Sequence, residues 1–204
     1  MGKVKKAKHH KKLLRQVIFF MLRNKESRVA IKEGHADFNY NFTNILAKYY
    51  NANDNCRISK EALKILKDNK VEIPGTVKKS KYSRETFRGG GGKKNIIKTT
   101  PLQKVKGEFM FDHNPPVNII RKKILEVNNN EWNKTATENI LGQYEDCVFM
   151  LTRKEDTEIT KKGLNSKMPE DWKWGDKDEE IRYSKCSIEI SGERMHFNTN
   201  KIPR

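Results

Sequence analysis

The chain contains no run of about 18 apolar residues, so no membrane-spanning helix is expected. Its most apolar early window, Leu13 to Leu22, follows a lysine-rich start as a secretory signal does. Arg15 interrupts that window and no small-residue cleavage site follows, so it is not read as one. Cysteine is scarce: Cys56, Cys147 and Cys186 are odd in number and far apart. No CxxC pair exists, which argues against a zinc knuckle. The pattern fits free thiols in a reducing, cytoplasmic setting. GxSxG and HExxH are absent, as is a Cys–His arrangement suited to nucleophilic catalysis. Gly89 to Gly92 invite comparison with a phosphate-cradling loop. The Walker pattern needs Ser or Thr after its lysine, whereas Lys93 is followed by Lys94 and Asn95, so a P-loop is excluded.

Negative charge is the other shortage, and it is local. Residues 1–106 carry 27 Lys and Arg against 8 Asp and Glu, while residues 107–204 carry 16 against 18, for a total of +17. An imbalance of that size concentrates polyanions, of which nucleic acid is the commonest. Lysines that only solvate helix faces, or that meet an anionic membrane surface, would give the same composition. Aromatic residues at 9% of a 204-residue chain argue against wholesale disorder and leave room for one or two domains.

What is present reads as an α+β protein: a helical basic N-terminal part over 1–75, a basic Gly-rich linker over 76–106 and a small mixed α/β part over 107–204. Met1 to Lys12 reads as a basic arm, and its His9-His10 pair lacks further ligands for a metal. Apolar spacing predicts a helix from Lys11 to Arg23. A second, Asp37 to Tyr50, would bury Phe38, Phe42, Ile45, Leu46 and Tyr49. Ser59 is an N-cap for a third helix carrying Ala62, Leu63, Ile65 and Leu66 on its inner side. Three helices with outward lysines could form a helix-turn-helix reader, though no tight turn signature marks one. Val71 to Gly75 reads as a short strand. In the linker, Lys78, Lys79, Lys81, Arg84, Arg88, Lys93 and Lys94 flank four glycines, a combination suited to lying along a phosphate backbone or to a solvated tether.

Beyond Gly107 the pattern predicts a strand over Phe109 to Phe111 that ends at Asp112-His113, then a helix from Val117 to Val127 with Arg121, Lys122 and Lys123 on its polar face. A short helix over Thr137 to Gly142 and a buried strand from Cys147 to Leu151 follow. Thr152 with Glu155 forms a capping box for the next helix, which Gly163 ends. Ile181 to Tyr183 and Ser187 to Ile190 read as final strands. His35 reads as a loop residue and His196 as a strand or core residue.

Asp112-His113 is the only His–carboxylate pair at a strand end. An imidazole that takes a proton from water, beside a carboxylate that holds a hard cation, suits phosphodiester hydrolysis. A structural reading stands beside it, with Asp112 capping the next helix or turn and His113 bonding a buried carbonyl. Glu155 and Asp156 in a first helical turn favour the helix dipole without any function. The segment Phe111-Asp112-His113-Asn114-Pro115, followed by Asp146 to Asp156, resembles the HNH, or ββα-metal, nucleases. That resemblance covers about 50 residues. It implies His113 as general base, Asp112, Asp146 and Asp156 as ligands for Mg²⁺ or Mn²⁺, and catalysis by Asp112, His113 and Asp156. Here Asp156 stands where the family's last histidine usually stands, and the 117–127 helix lengthens the spacing. A PD-(D/E)xK nuclease is a rival enzyme reading, but no E-x-K or D-x-K lies in an apolar strand.

The expectation is a nucleic-acid-binding protein, DNA favoured, that acts as a metal-dependent endonuclease of restriction or mobile-element type. It would be cytoplasmic, off the membrane, and compatible with a homodimer. Its nucleic-acid contacts would be Lys78, Lys79, Lys81, Arg84, Arg88, Lys93, Lys94, Arg121 and Lys122. The alternative is a non-catalytic nucleic-acid-binding regulator, or an inhibitor of a nucleic-acid enzyme. A protein-binding module that meets an acidic partner is a third reading.

Overall fold

The computed structural model describes residues 3–75, 80, 82, 84–87, 100–176 and 180–197, without the side chains of residues 3–8 and 85. Within them the chain is α+β, with helices around a four-stranded mixed sheet. No described helix is long and apolar enough to cross a membrane.

Helix α1 (Lys3–Arg23) starts earlier than apolar spacing alone suggests and buries Ile18 and Leu22. It stops at Asn24, whose extended backbone lets its side chain accept from Ser27 N at 2.8 Å and cap α2 (Lys25–Lys32). Gly34, at φ +78, turns the chain toward α3 (Ala36–Asn51). That helix buries Phe42, Leu46, Tyr49 and Tyr50, whereas Phe38, expected inside, is 45% exposed.

Strand β1 (Asn55–Ser59) was not expected from its sequence. Only Cys56 and Ile58 alternate as apolar residues in a turn-like stretch, yet both are fully buried. Ser59 caps α4 (Lys60–Asp68) by accepting from Ala62 N, as expected. Val71 to Gly75 forms no strand. Two short helices, α5 (Arg84–Phe87) and α6 (Pro101–Val105), precede β2 (Phe109–His113). Helices α7 (Val117–Val127) and α8 (Lys134–Gln143) lead to β3 (Val148–Thr152), which runs straight into α9 (Arg153–Lys161) through the expected Thr152–Glu155 capping box. Gly163 at φ +67 ends that helix. Residues 181–184 form a helical turn, α10 (Ile181–Ser184), rather than a strand. The last strand is β4 (Ile190–His196), displaced toward the C-terminus from Ser187 to Ile190.

The strand order is β2-β3-β1-β4, with β1 parallel to β3 and antiparallel to β4, and β2 antiparallel to β3. Thus β1, from the basic half, lies between two strands of the other half. One core joins Phe42, Leu46 and Tyr50 of α3 to Val148 and Met150 of β3. The change of charge between residues 106 and 107 therefore does not divide the fold, because the sheet runs across it, as it does across the expected boundary at residue 75. All five β3 residues are buried: Phe149 and Leu151 face a second core with Ile159, Tyr183 and Ile188, so both sheet faces are covered there. The parallel strands β1 and β3 each enter a helix through a cap, and Ser59 Oγ donates to Glu155 Oε2 at 2.7 Å, tying the two caps together.

Candidate functional site

Strand β2 lies against β3 in a register that pairs Phe109 with Thr152 and His113 with Val148. Asn114 N donates to Cys147 O at 2.8 Å and closes that end of the pair. Helix α9 leaves β3 without a break and packs across both strands. The result is a ββα unit with Asp112 and His113 on its first strand and Asp156 in its helix.

Asp112 is held by residues that no local sequence signal marks. Arg182, 0% exposed, donates from Nη1 to Asp112 Oδ2 at 2.6 Å and from Nη2 to Oδ1 at 3.3 Å. The Tyr183 hydroxyl donates to Oδ2 at 2.8 Å. Arg182 also donates to the carbonyls of His113, at 3.0 Å, and Leu164, at 2.7 Å. Burial, then the neighbouring Asp112 charge, pushes the Tyr183 hydroxyl well above its ordinary value, so it stays a donor. The Asp112 carboxylate thus joins β2 to α10 and does not cap α7, whose N-cap position is Pro116 and which has no side-chain cap.

The Asp156 carboxylate makes no hydrogen bond or ion pair among the described residues. Burial first, then the Asp112 charge, raises its carboxyl above the ordinary range, opposed by Arg182 and Arg153. Asp146 is paired elsewhere, with Arg194 Nη2 of β4 at 3.3 Å. His113 is half-buried, with its Nε2 shielded from solvent. Of the proposed ligands, Asp112 is neutralised by a guanidinium and Asp146 faces a different strand. Among the described residues no three His, Cys, Asp or Glu side chains group to hold a metal ion. A divalent cation does not fit this donor set as it stands, because a guanidinium already lies on both Asp112 oxygens.

Of the expected nucleic-acid contacts, Lys78, Lys79, Lys81, Arg88, Lys93 and Lys94 lie outside the described residues. Arg84 is interior, only 6% exposed, instead of lying on a phosphate-facing surface. It donates to Asn51 Oδ1 at 3.0 Å and Asn55 O at 2.9 Å and stacks over Phe197. Arg121 is half-buried and Lys122 exposed, both on α7 beside a cleft shared with α2. Cys56, Cys147 and Cys186 are free and buried, and burial lifts the Cys56 thiol to about 12, so these are inert packing groups.

No family model matches the chain, and neither a curated protein nor a solved structure resembles it to a significant degree.

Proposed function

We propose that this chain is a nucleic-acid-binding protein, with DNA favoured, working in the reducing cytoplasm. One observation carries the reading: Lys11, Arg15, Arg57, Lys60 and Lys67 pair with acids of the other half, yet part of the cationic excess of residues 1–106 stays unpaired among the described residues. Lys12, Arg23, Lys25 and Lys48 are exposed, and none meets a carboxylate within ion-pair distance among the described residues. Unpaired surface cations attract phosphate chains and release their counterions, so binding should weaken steeply with salt. Three free thiols support the compartment.

A second reading, phosphodiester hydrolysis by the ββα unit, is favoured by the uncommitted Asp156 carboxylate beside Asp112-His113. The Arg182–Tyr183 clamp on Asp112 weighs against it. Purified protein mixed with plasmid DNA or RNA, with and without Mg²⁺ or Mn²⁺, separates the two. A binder retards DNA, loses affinity with salt, leaves the plasmid intact, and binds equally well as His113→Ala. Cleavage that needs the cation and disappears in His113→Ala while binding persists would establish hydrolysis. No retardation of either nucleic acid at low salt refutes both.

A further inference from the structure

The cleft between α2 and α7 takes no part in the Asp112 cluster. A cavity of about 480 Å³ is walled by residues including Lys32, Asn39, Arg121, Lys122 and Asn129. A smaller pocket of about 80 Å³ shares Lys32 and Asn129 and adds Lys25 and Arg28. Across both, Glu126 is the only carboxylate among the described lining residues, and its Oε1 is taken by Lys123 at 2.8 Å. Two of the five cations are committed: Arg28 donates to Leu22 O at 2.6 Å at the end of α1, and Lys32 to Asn129 Oδ1 at 2.5 Å. Lys25, Lys122 and Arg121 have no acceptor among the described residues.

Arg121 is the notable member. Its Nε is shut off from solvent and unbonded, and Asn39 Oδ1, in the wall of the same cleft, is likewise buried without a donor. A guanidinium that has lost part of its hydration and gained no protein acceptor carries a desolvation cost, which an anion would offset. Its planar fork matches two phosphate oxygens, while Lys122 and Lys32 supply point charges. The volume falls within the roughly 300–1,000 Å³ of small-ligand pockets, enough for a phosphoryl group with its sugar.

We propose that the α2–α7 cleft is a phosphate-binding site, centred on Arg121, that takes the phosphoryl group of a nucleotide, either free or within a strand. The strand case rests on the nucleic-acid reading above; the free-nucleotide case does not.

The test uses the whole chain as wild type, Arg121→Gln, Arg121→Lys and, as a control on an exposed lysine outside the cleft lining, Lys64→Gln. Each is titrated with AMP and with a short fluorescent single-stranded oligonucleotide. Wild type and Lys64→Gln should bind alike. Arg121→Gln should bind about tenfold more weakly or worse, and Arg121→Lys, which keeps the charge but not the fork, should also lose affinity. Loss of AMP binding identifies a free nucleotide as the ligand. Loss confined to the oligonucleotide, with a log–log salt slope shallower by about 0.7, identifies a strand phosphate. If Arg121→Gln fails to fold, Arg121→Lys carries the same reading. Undiminished oligonucleotide binding in the Arg121 variants, with no AMP binding, overturns the cleft but leaves the nucleic-acid reading standing. AMP binding that requires Arg121, without oligonucleotide binding, does the reverse. Wild-type protein that binds neither probe overturns both.

Discussion

Arg182 and Arg121 stand in opposite relations to the same chain. Arg182 is wholly buried, and its donors reach Asp112, the His113 carbonyl and the Leu164 carbonyl. Arg121 is only half-buried, yet no described residue accepts from it. The acids repeat the contrast: Asp112 takes three donated bonds from Arg182 and Tyr183, whereas Asp156, close enough to feel its charge, takes none. Burial alone therefore does not tell scaffold from site. What separates them is whether the chain itself completes the polar group's bonding.

The largest effect should come from breaking the completed cluster. Arg182→Met leaves Asp112 deprived of its guanidinium and strips a donor from two carbonyls. We expect a loss of about 3–5 kcal/mol in urea unfolding, the range for a buried pair that loses one partner. Adding Asp112→Asn to that variant should recover part of the loss, because the stranded charge is then gone. A single variant that costs less than about 1 kcal/mol would remove the contrast with Arg121.

Whether an element could be read from the sequence depended on how local its cause is. Strand β2, strand β3, the Ser59 cap and the Thr152–Glu155 box follow from residues within a few positions of one another, and they stand where expected. Strand β1 was missed because its burial is imposed by β3 and β4, which are distant in sequence. Ile181 to Tyr183 have strand-forming residue types, but the segment forms a helical turn that brings both Arg182 and Tyr183 onto Asp112. Asp112-His113 was visible as a polar pair ending an apolar strand, while the residue that neutralises Asp112 lies 70 positions away. Arg84 read as a surface cation within a basic run, and only the fold shows it capping interior carbonyls. For the cleft, Arg121 and Lys122 were legible on the polar face of α7, but not Lys25 and Lys32 opposite them.

A smaller effect is expected from the other arginine, and its direction sharpens the comparison. Arg121→Met removes a partly desolvated charge that no described group satisfies, and its aliphatic stem is replaced by a side chain of similar reach. Unfolding in urea should change by less than about 1 kcal/mol, or become slightly harder. A loss as large as that of Arg182→Met would show that Arg121 holds the fold together, and the cleft would cease to be a candidate for a ligand.

The smallest effect belongs to Asp156, and its sign follows from protonation. Its carboxyl is raised in the fold by burial and by Asp112, so the folded state binds the proton more tightly than the unfolded chain does. The stabilisation from that proton is complete below the ordinary aspartate value near 3.9, and it is lost as pH rises through the raised folded value. Wild type should therefore give up a little stability across that interval which Asp156→Asn retains. Because the group is partly open to solvent, the difference should stay under about 1 kcal/mol and shrink with added salt. Parallel urea unfolding of the two proteins from pH 4 to 7 measures it. In an Asp112→Asn background the difference should narrow, since the like charge facing Asp156 is absent while its burial remains. An unchanged difference would mean that the two carboxylates do not sense each other, and the ββα unit would lose the feature that favours hydrolysis.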